Sequence, residues 1–372
     1  MPQPDFPAMP RLERVEAIHV RVPFRRPLLD ATGEFTHRRS WLLRIVDEAG
    51  NEGLGEAALN PVAADVTTGS LAALLREIVL ELAAGRAPAW SVLAAEGEPG
   101  RAAMAAVDGA IGALLAARGA LSAAGPTAIP VSAAIPFAGP DAGAEAAAQA
   151  IELGFGTLKL RAGFERSTDQ LVDRLRAIRA AVGPDPQLRI DAGGAWDLET
   201  ATERITAVAP FRIEFVEQPL AAWDLTGHSA LRERVRVPIA LDESIDSEGS
   251  ARAALAERAA DVVIVKPARV GGQAATIRVA EAASAASASV VLGTYFETGV
   301  GIAAALRVAA ALPAAARGVR AAHGLATAGV LIHDLLGAPL PIENGRMKVP
   351  AAVTLDESEL ARYTIERFEA IA

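Results

Sequence analysis

The sequence predicts an α/β fold built around a (β/α)8-type (modified TIM) barrel, and a repeated pattern between residues 157 and 267 carries that prediction. Five short apolar runs in this stretch are typical of buried strands, and each ends on a charged residue: Thr157–Arg161, Gln187–Asp191, Ile213–Glu217, Val237–Asp242 and Val262–Lys266. The last four end charges lie 26, 25 and 24 residues apart, which is about the length of one strand plus one helix with short loops. Parallel strands joined in this way present their C-terminal ends on one rim, where such barrels carry their active sites.

Three of these end charges are carboxylates in consecutive strand positions: Asp191, Glu217 and Asp242. A single acidic residue at a strand end is more often the N-cap of the next helix. Three carboxylates side by side, however, repel one another unless a divalent cation holds them. Ligands that are all oxygen suit Mg²⁺, with Mn²⁺ as the alternative. The spacing therefore favours a metal site.

The lysines support a catalytic site at this rim. Among 36 Lys and Arg residues, only Lys159, Lys266 and Lys348 are lysines. Two of the three lie in or at the end of apolar strands, on either side of the carboxylates in strand order, and Lys159 shares its strand face with Arg161. Unlike a guanidinium, an amine can be made neutral at working pH by burial and nearby charge. Lys159 and Lys266 are therefore candidate catalytic residues.

Composition excludes several classes of protein. The chain has 372 residues, of which 51% are hydrophobic, enough for two domains with ample cores. Its net charge of −9 argues against nucleic-acid and anionic-membrane partners. It has no cysteine, so disulfides and thiolate metal sites are excluded. Residues 1–14 show no signal-peptide pattern, and apolar stretches elsewhere are interrupted before membrane-spanning length, so we expect a cytoplasmic protein.

The remaining elements follow from periodicity. Alternation over Val15–Val22 and Trp41–Asp47, with an Asp/Gly/Asn turn after Asp47, predicts a three-stranded antiparallel meander in residues 11–60. A polar loop, Leu29–Arg39, separates its first two strands. Helical spacing follows from residue 70 to 119, where Ala102–Arg118 is expected to be a buried helix and its Asp108 a structural hydrogen-bonding residue. The other barrel strands are predicted at Ile129–Ile135 (first), Ser289–Gly293 (seventh) and Val319–His323 (eighth).

Together these residues resemble the enolase superfamily, in its muconate-lactonizing-enzyme branch. The likeness covers nearly the whole chain and rests on four motifs: Asp191, Glu217 in Val-Glu-Gln-Pro, Asp242 in Leu-Asp-Glu-Ser, and Lys266 followed by Gly271-Gly272. It implies that the three carboxylates bind Mg²⁺ and that a lysine removes the proton α to a substrate carboxylate. The Mg²⁺ would stabilise the resulting enediolate.

The resemblance also implies a domain organisation and substrate contacts. We expect an α+β capping domain in residues 1–125, the barrel in residues 126–325, and a segment 326–372 that returns to the capping domain. Loops around residues 29–39 and 53–61 would close over the barrel and select the substrate, with Arg39 on an anionic group. After the seventh strand, Thr294 and Glu297 are substrate-binding candidates. Glu297 could equally be a charge favoured by a helix N-terminus.

Two positions depart from the pattern of the family. The first catalytic strand usually reads Lys-x-Lys with the second lysine as base, but this chain has Arg161, and arginine stays protonated at biological pH. After the first metal ligand, Asp-Ala-Asn is usual, and this chain has Gly193. Three explanations stay open: Lys266 is the base, Lys159 takes over that role while Arg161 holds a substrate carboxylate, or the substrate has changed.

Chemistry that needs one base tolerates Arg161 better than racemisation, which needs an acid or base on each face of the carbanion. This tilts the expectation toward a lyase, and within the branch the chain resembles the o-succinylbenzoate synthases, which dehydrate a cyclohexadiene carboxylate in menaquinone synthesis. The alternatives are a muconate-type cycloisomerase, an N-acylamino-acid or dipeptide racemase-epimerase, and a non-catalytic carboxylate-binding descendant. The expected partner is a small carboxylate substrate, and exposed alanine-rich helices would permit a homo-oligomer.

Overall fold

The computed structural model describes residues 11–30, 33–61, 64–120, 125–313, 316 and 322–371. The first part of the chain is an antiparallel sheet covered by helices. Its elements are β1 (Leu12–Asp30), β2 (Gly33–Asp47), β3 (Glu52–Ala57), α1 (Ala64–Ala83), α2 (Trp90–Ala95) and α3 (Gly97–Ala117). A C-terminal strand, β14 (Thr364–Ile371), pairs antiparallel with β1, which gives the four-stranded order β14-β1-β2-β3.

The central part alternates strands and helices. Its elements are β4 (Ala128–Pro130), β5 (Ala133–Ile135), α4 (Pro140–Glu152), β6 (Thr157–Arg161), α5 (Thr168–Val182), β7 (Gln187–Asp191), α6 (Leu198–Val208), β8 (Ile213–Glu217), α7 (Leu225–Arg234), β9 (Ile239–Leu241), α8 (Glu248–Ala256), β10 (Val262–Val265), α9 (Pro267–Val270), α10 (Gln273–Ala285), β11 (Ser289–Leu292) and α11 (Gly299–Ala311). Strands β5 to β11 form one parallel sheet in chain order. The (β/α)8-type barrel expected from the sequence is confirmed.

Five barrel helices begin where the sequence supplies a short polar cap. Each of these caps accepts a hydrogen bond from a backbone N–H of the first turn, which satisfies a donor that the helix itself cannot pair. They are Ser167 before α5, Asp197 before α6, Asp224 before α7, Ser247 before α8 and Thr298 before α11. Each cap marks the end of the loop that joins a strand to its following helix, so these loops lie at the C-terminal ends of the strands.

The tail contacts both parts of the protein. The hairpin β12 (Ile342–Glu343) and β13 (Arg346–Lys348) adds to β4, and α12 (Glu357–Tyr363) then leads into β14. The predicted eighth strand, Val319–His323, lies outside the described residues up to position 321. Its last residue, His323, bridges Val131 and accepts a hydrogen bond from the backbone of Leu292 at 2.9 Å. This segment therefore links the two ends of the parallel sheet.

Two predicted elements are corrected. The expected first strand, Ile129–Ile135, is divided: Ala128–Pro130 pairs with β13 outside the barrel sheet, and only Ala133–Ile135 pairs with β6. Proline at 130 lacks the N–H that a continuous central strand needs. The predicted polar loop Leu29–Arg39 is instead the extension of β1 and β2 into a hairpin, with Leu28 opposite Phe35. Its tip, residues 31–32, lies outside the described residues.

The expectation that no apolar stretch reaches membrane-spanning length also needs correction. Helix Gly97–Ala117 is long and apolar enough by length and composition, and 67% of its most apolar window is buried inside the protein. It packs on the capping sheet, where a Cβ on Gly55 would lie 1.9 Å from the carbonyl oxygen of Ala106. The apolar character of this helix is therefore accounted for by its packing in the core.

Two carboxylates of the capping domain cap helices of the barrel. Glu56 of β3 accepts hydrogen bonds from the backbone N–H of Thr298 (3.1 Å) and of Gly301 (3.0 Å), at the start of α11. Asp108 of α3 accepts one from the backbone N–H of Gln273, the first residue of α10. The structural role expected for Asp108 is confirmed, and Glu56 has the same kind of role.

Asp108 should make stability depend on pH. Burial raises its pKa to about 6 from 3.8, although backbone donors of α10 act in the opposite direction. A raised folded-state pKa means that the contribution to stability is complete below about pH 4 and is lost as the pH rises through about 6, on the order of 3 kcal/mol in all. We expect Asp108→Asn to match the wild type near pH 4 and to exceed its denaturant midpoint at pH 8.

Urea unfolding at both pH values measures this difference. Asp141→Asn, at an exposed acid in the first turn of α4, is the control and should show no such pH trend. A constant difference between Asp108→Asn and wild type from pH 4 to pH 8 would contradict the prediction.

Candidate active site

The residues predicted to form the site lie at the C-terminal ends of adjacent parallel strands. The register places Arg161 of β6 beside Asp191 of β7, and Asp191 beside Glu217 of β8. Asp242 follows the last residue of β9, and Lys266 follows the last residue of β10. The alternation and spacing read from the sequence therefore bring these five side chains to one rim.

Lys159 lies between two of the carboxylates. Its Nζ is 2.7 Å from Oε1 of Glu217 and 3.0 Å from Oδ2 of Asp191. Burial opposes a charge on this amine, but Asp191 and Glu217 outweigh burial and raise the pKa of Lys159 above its ordinary value. The two carboxylates therefore favour the ammonium form of Lys159, whose charge offsets part of theirs.

The carboxylates remain crowded even with Lys159 between them. Burial, together with the charges of Asp191 and Asp242, raises the pKa of Glu217 to about 8 although Lys159 acts in the opposite direction. The side chain of Glu217 is only 2% exposed. Burial and the neighbouring carboxylates therefore both disfavour the ionised form of this acid.

Lys266 lies on the other side of the site, against Asp242. Its Nζ is 2.6 Å from Oδ1 and 2.5 Å from Oδ2 of that carboxylate. Arg269 adds bonds from Nη1 to Oδ1 (3.0 Å) and to the backbone oxygen (2.8 Å) of Asp242. Burial would raise the pKa of Asp242, but Lys266 and Arg269 hold it well below its usual range.

Two residues at this rim had no role assigned from the sequence. Arg269 lies one turn after Lys266, and its position in the Lys-Pro-Ala-Arg motif was the available signal. Gln218 has a left-handed backbone (φ 40°), and its Oε1 accepts from the backbone N–H groups of Asp242 (2.9 Å) and Ser244 (3.2 Å). Gln218 thus ties the end of β8 to the loop after β9, which accounts for the residue after Glu217 in Val-Glu-Gln-Pro.

Arg161 is held at the rim by Asp191. Its Nη1 is 3.0 Å from Oδ1 of Asp191, and its guanidinium carbon is 5.8 Å from the ring centre of Phe164. Burial disfavours the charge, but Asp191 and Glu243 raise the pKa of Arg161 above its ordinary value. The residue is a fixed cation and cannot accept a proton.

Comparison with known families decides what this arrangement belongs to. A family model described as "Enolase C-terminal domain-like" matches residues 142–358, more than half of the chain. The chain belongs to the enolase superfamily. The resemblance stated from the sequence motifs is confirmed.

Relatives within the enolase superfamily carry different activities. An o-succinylbenzoate synthase from Thermobifida fusca is 39% identical over 216 residues, a match that covers 57% of this chain and 64% of that relative, a little under two thirds. A chloromuconate cycloisomerase from Cupriavidus pinatubonensis is 28% identical over 373 residues, 95% of this chain and 99% of that relative. The structure of a muconate lactonizing enzyme from Pseudomonas fluorescens superposes with a TM-score of 0.81 at 24% identity, covering 96% and 100% of the two chains. The last match concerns the fold alone.

The carboxylates of this enolase-superfamily chain fit a divalent cation by donor type. Among the described residues, no group of three or more His, Asp or Glu side chains is already arranged as a metal site. Each carboxylate is turned onto a Lys or Arg instead. Three buried oxygen donors at the ends of adjacent strands suit Mg²⁺ or Mn²⁺. Asp191, Glu217 and Asp242 stay the predicted ligands.

The structure places Arg39 on β2 of the capping domain. It shares one face of the strand with Trp41 and Leu43, and these two residues pack against the helices of the capping domain. Its neighbour Arg38 shares the opposite face with Leu42, which packs toward Val300 of α11. A substrate contact by Arg39 stays a prediction.

The two candidates after β11 lie in the interior. Thr294 is buried and its hydroxyl is 2.8 Å from that of Thr327. Glu297 is buried, accepts a hydrogen bond from the backbone N–H of Tyr295 (2.5 Å), and lines a small cavity with Glu56 and Arg307. Burial and the neighbouring Glu56 raise its pKa to about 7. Their substrate-binding roles stay predictions.

Proposed function

We propose that this protein is a Mg²⁺-dependent lyase that removes the proton α to a substrate carboxylate, with Lys266 as the base. The proposed reaction is the dehydration carried out by o-succinylbenzoate synthases. The observation that carries it is the asymmetry of the site: Lys266 is a lone amine on the Asp242 side, whereas Arg161 on the opposite side is a fixed cation. One competent base suits an elimination and does not suit racemisation.

The other residues of the site have supporting roles in this proposal. Asp191, Glu217 and Asp242 would hold Mg²⁺, which supplies the positive charge that stabilises the enediolate. Lys266 donates to both oxygens of Asp242, so it can act as a base only after it has left that carboxylate and released a proton to solvent. A dehydration can use one amine for both transfers, first taking the proton from carbon and then giving it to the departing hydroxyl. Lys159 neutralises Asp191 and Glu217 in this proposal, and it is the base only if Lys266 is not.

A muconate-type cycloisomerase is the second candidate function. It is favoured by the full-length match to the chloromuconate cycloisomerase, and it also needs fewer proton transfers than racemisation. Racemase and epimerase activities need a competent group where Arg161 stands. A non-catalytic carboxylate-binding protein would have little use for three carboxylates and a lysine on one rim. A small carboxylate substrate, a cytoplasmic location and a homo-oligomer are parts of the same proposal.

A substrate panel tests the proposal. Purified protein with Mg²⁺ is assayed on the cyclohexadiene precursor of o-succinylbenzoate, on cis,cis-muconate, and on N-succinylamino acids and dipeptides. Dehydration of the first substrate, lost on chelation, is the expected result. Turnover of muconate alone would move the assignment to a cycloisomerase, and turnover of none in wild type or Arg161→Lys would support the non-catalytic alternative.

A further inference from the structure

The side chain of Arg161 occupies space that any residue larger than glycine at position 193 would need. A Cβ built on Gly193 would lie 2.5 Å from Nη2 of Arg161 and 2.9 Å from its Cζ and Nη1. Real Cβ atoms essentially never come within 3.0 Å of another heavy atom. The backbone conformation alone does not require glycine, because the φ of 56° at Gly193 is in the left-handed region that asparagine also adopts. A side chain at position 193 would therefore have to displace the guanidinium.

Both residues are anchored to the same oxygen. Oδ1 of Asp191 accepts from Nη1 of Arg161 at 3.0 Å and from the backbone N–H of Gly193 at 3.1 Å. The strand end is fixed from behind, since Nη2 of Arg174 donates to the backbone oxygen of Arg161 at 3.1 Å. The guanidinium therefore has a defined seat against the backbone of Gly193.

The opposite edge of this guanidinium has capacity to bind a ligand. Within the described part of the chain, Nε and Nη2 of Arg161 donate to no acceptor. Arg161 is also absent from the fully buried side chains that have unpaired polar atoms. The side chain is 32% exposed. The Nε–Nη2 edge is the edge that binds a carboxylate through two parallel hydrogen bonds.

We propose that Arg161 and Gly193 together form a seat for a second anionic group of the substrate, a carboxylate in addition to the one next to the reacting carbon. The two departures from the family pattern are then one change: glycine at 193 creates the room that arginine at 161 fills. This inference deepens the proposed function and rests on it for the position of the reacting carbon. It assigns the second carboxylate of the proposed substrate to these two residues.

Binding of simple dicarboxylates tests the seat without any turnover. Malonate, succinate and glutarate are titrated by calorimetry in the presence of Mg²⁺, each against the monocarboxylate of equal length: propionate, butyrate and valerate. We expect the wild type to prefer at least one dicarboxylate by 10-fold or more, and Arg161→Met to lose that preference. Equal affinities throughout all three pairs would overturn the proposal.

Gly193→Ala addresses the pairing of the two residues. Its methyl group displaces the guanidinium, so the preference for the dicarboxylate should fall about as far as in Arg161→Met, and the change should have little further effect in an Arg161→Met background. Gly194→Ala is the matched control, because its φ of 76° imposes similar strain while its Cβ would meet Leu220 and Ala221 and not Arg161. A full preference retained in Gly193→Ala would overturn the pairing.

The two proposals can fail separately. If the substrate panel shows no turnover but the dicarboxylate preference depends on Arg161, the seat stands and the lyase assignment falls. If dehydration is observed but no dicarboxylate is preferred, the lyase stands and the seat is wrong. Thermal unfolding of every variant checks that lost binding is not lost folding.

Discussion

Replacing Lys266 with alanine is expected to lower the rate of α-proton exchange by about 10³-fold, the range that a general base contributes. The fold should tolerate the change, because Asp242 keeps its bonds from Arg269 at 2.8 and 3.0 Å. The loss is therefore expected in the chemical step. The exchange rate is measured by mass spectrometry as deuterium incorporation from heavy water at the α-carbon of the substrate.

Lys348→Ala is the matched control for this experiment. Lys348 is the third lysine of the chain and lies exposed on β13, away from the rim, so its removal should leave exchange unchanged. Should Lys266→Ala retain exchange within 10-fold of wild type, Lys266 is not the base, and Lys159→Ala becomes the decisive variant.

The second large effect concerns the divalent cation. Mg²⁺ at about 100 times its Kd should stabilise the wild type by about 2.7 kcal/mol, because it binds the folded chain and not the unfolded one. Glu217→Gln removes the central ionisable carboxyl group while keeping the size of the side chain, and its oxygen can still accept from Lys159. We expect this variant to fold, to lose the stabilisation by Mg²⁺, and to lose activity.

Denaturant unfolding with Mg²⁺ and with a chelator gives the measurement independently of any substrate. Glu343→Gln, at an exposed glutamate of β12, should keep the full response to Mg²⁺. A Glu217→Gln variant that responds to Mg²⁺ as the wild type does would remove Glu217 from the ligand set and undermine the metal site as drawn.

The rim of the barrel could be predicted because its information is local. A charge at the end of an apolar strand is visible in five residues of sequence, and the parallel register then places Arg161, Asp191 and Glu217 side by side without further input. The spacing between successive strand ends predicts the length of the helix that connects them. The carboxylates and lysines were accessible from these two facts alone.

Other features depend on contacts between distant parts of the chain and could not be predicted. Arg38 and Arg39 occupy opposite faces of β2, and this alternation could not be predicted because the sequence pattern there indicated a loop. The break at Pro130 became visible only with its partner strand, β13. Gly193 was recognised as a departure from the family, but the side chain that its Cβ would meet lies 32 positions earlier.

The bonds from Glu56 and Asp108 to the barrel bear on how this protein can be re-engineered. Two barrel helices, α10 and α11, begin on carboxylates that belong to the N-terminal part of the chain. A barrel expressed without that part would lose both caps, and a chimera with the N-terminal part of another family member would keep them only if side chains that accept hydrogen bonds stood at these two positions. Domain exchange intended to alter specificity should therefore treat Glu56 and Asp108 as part of the barrel.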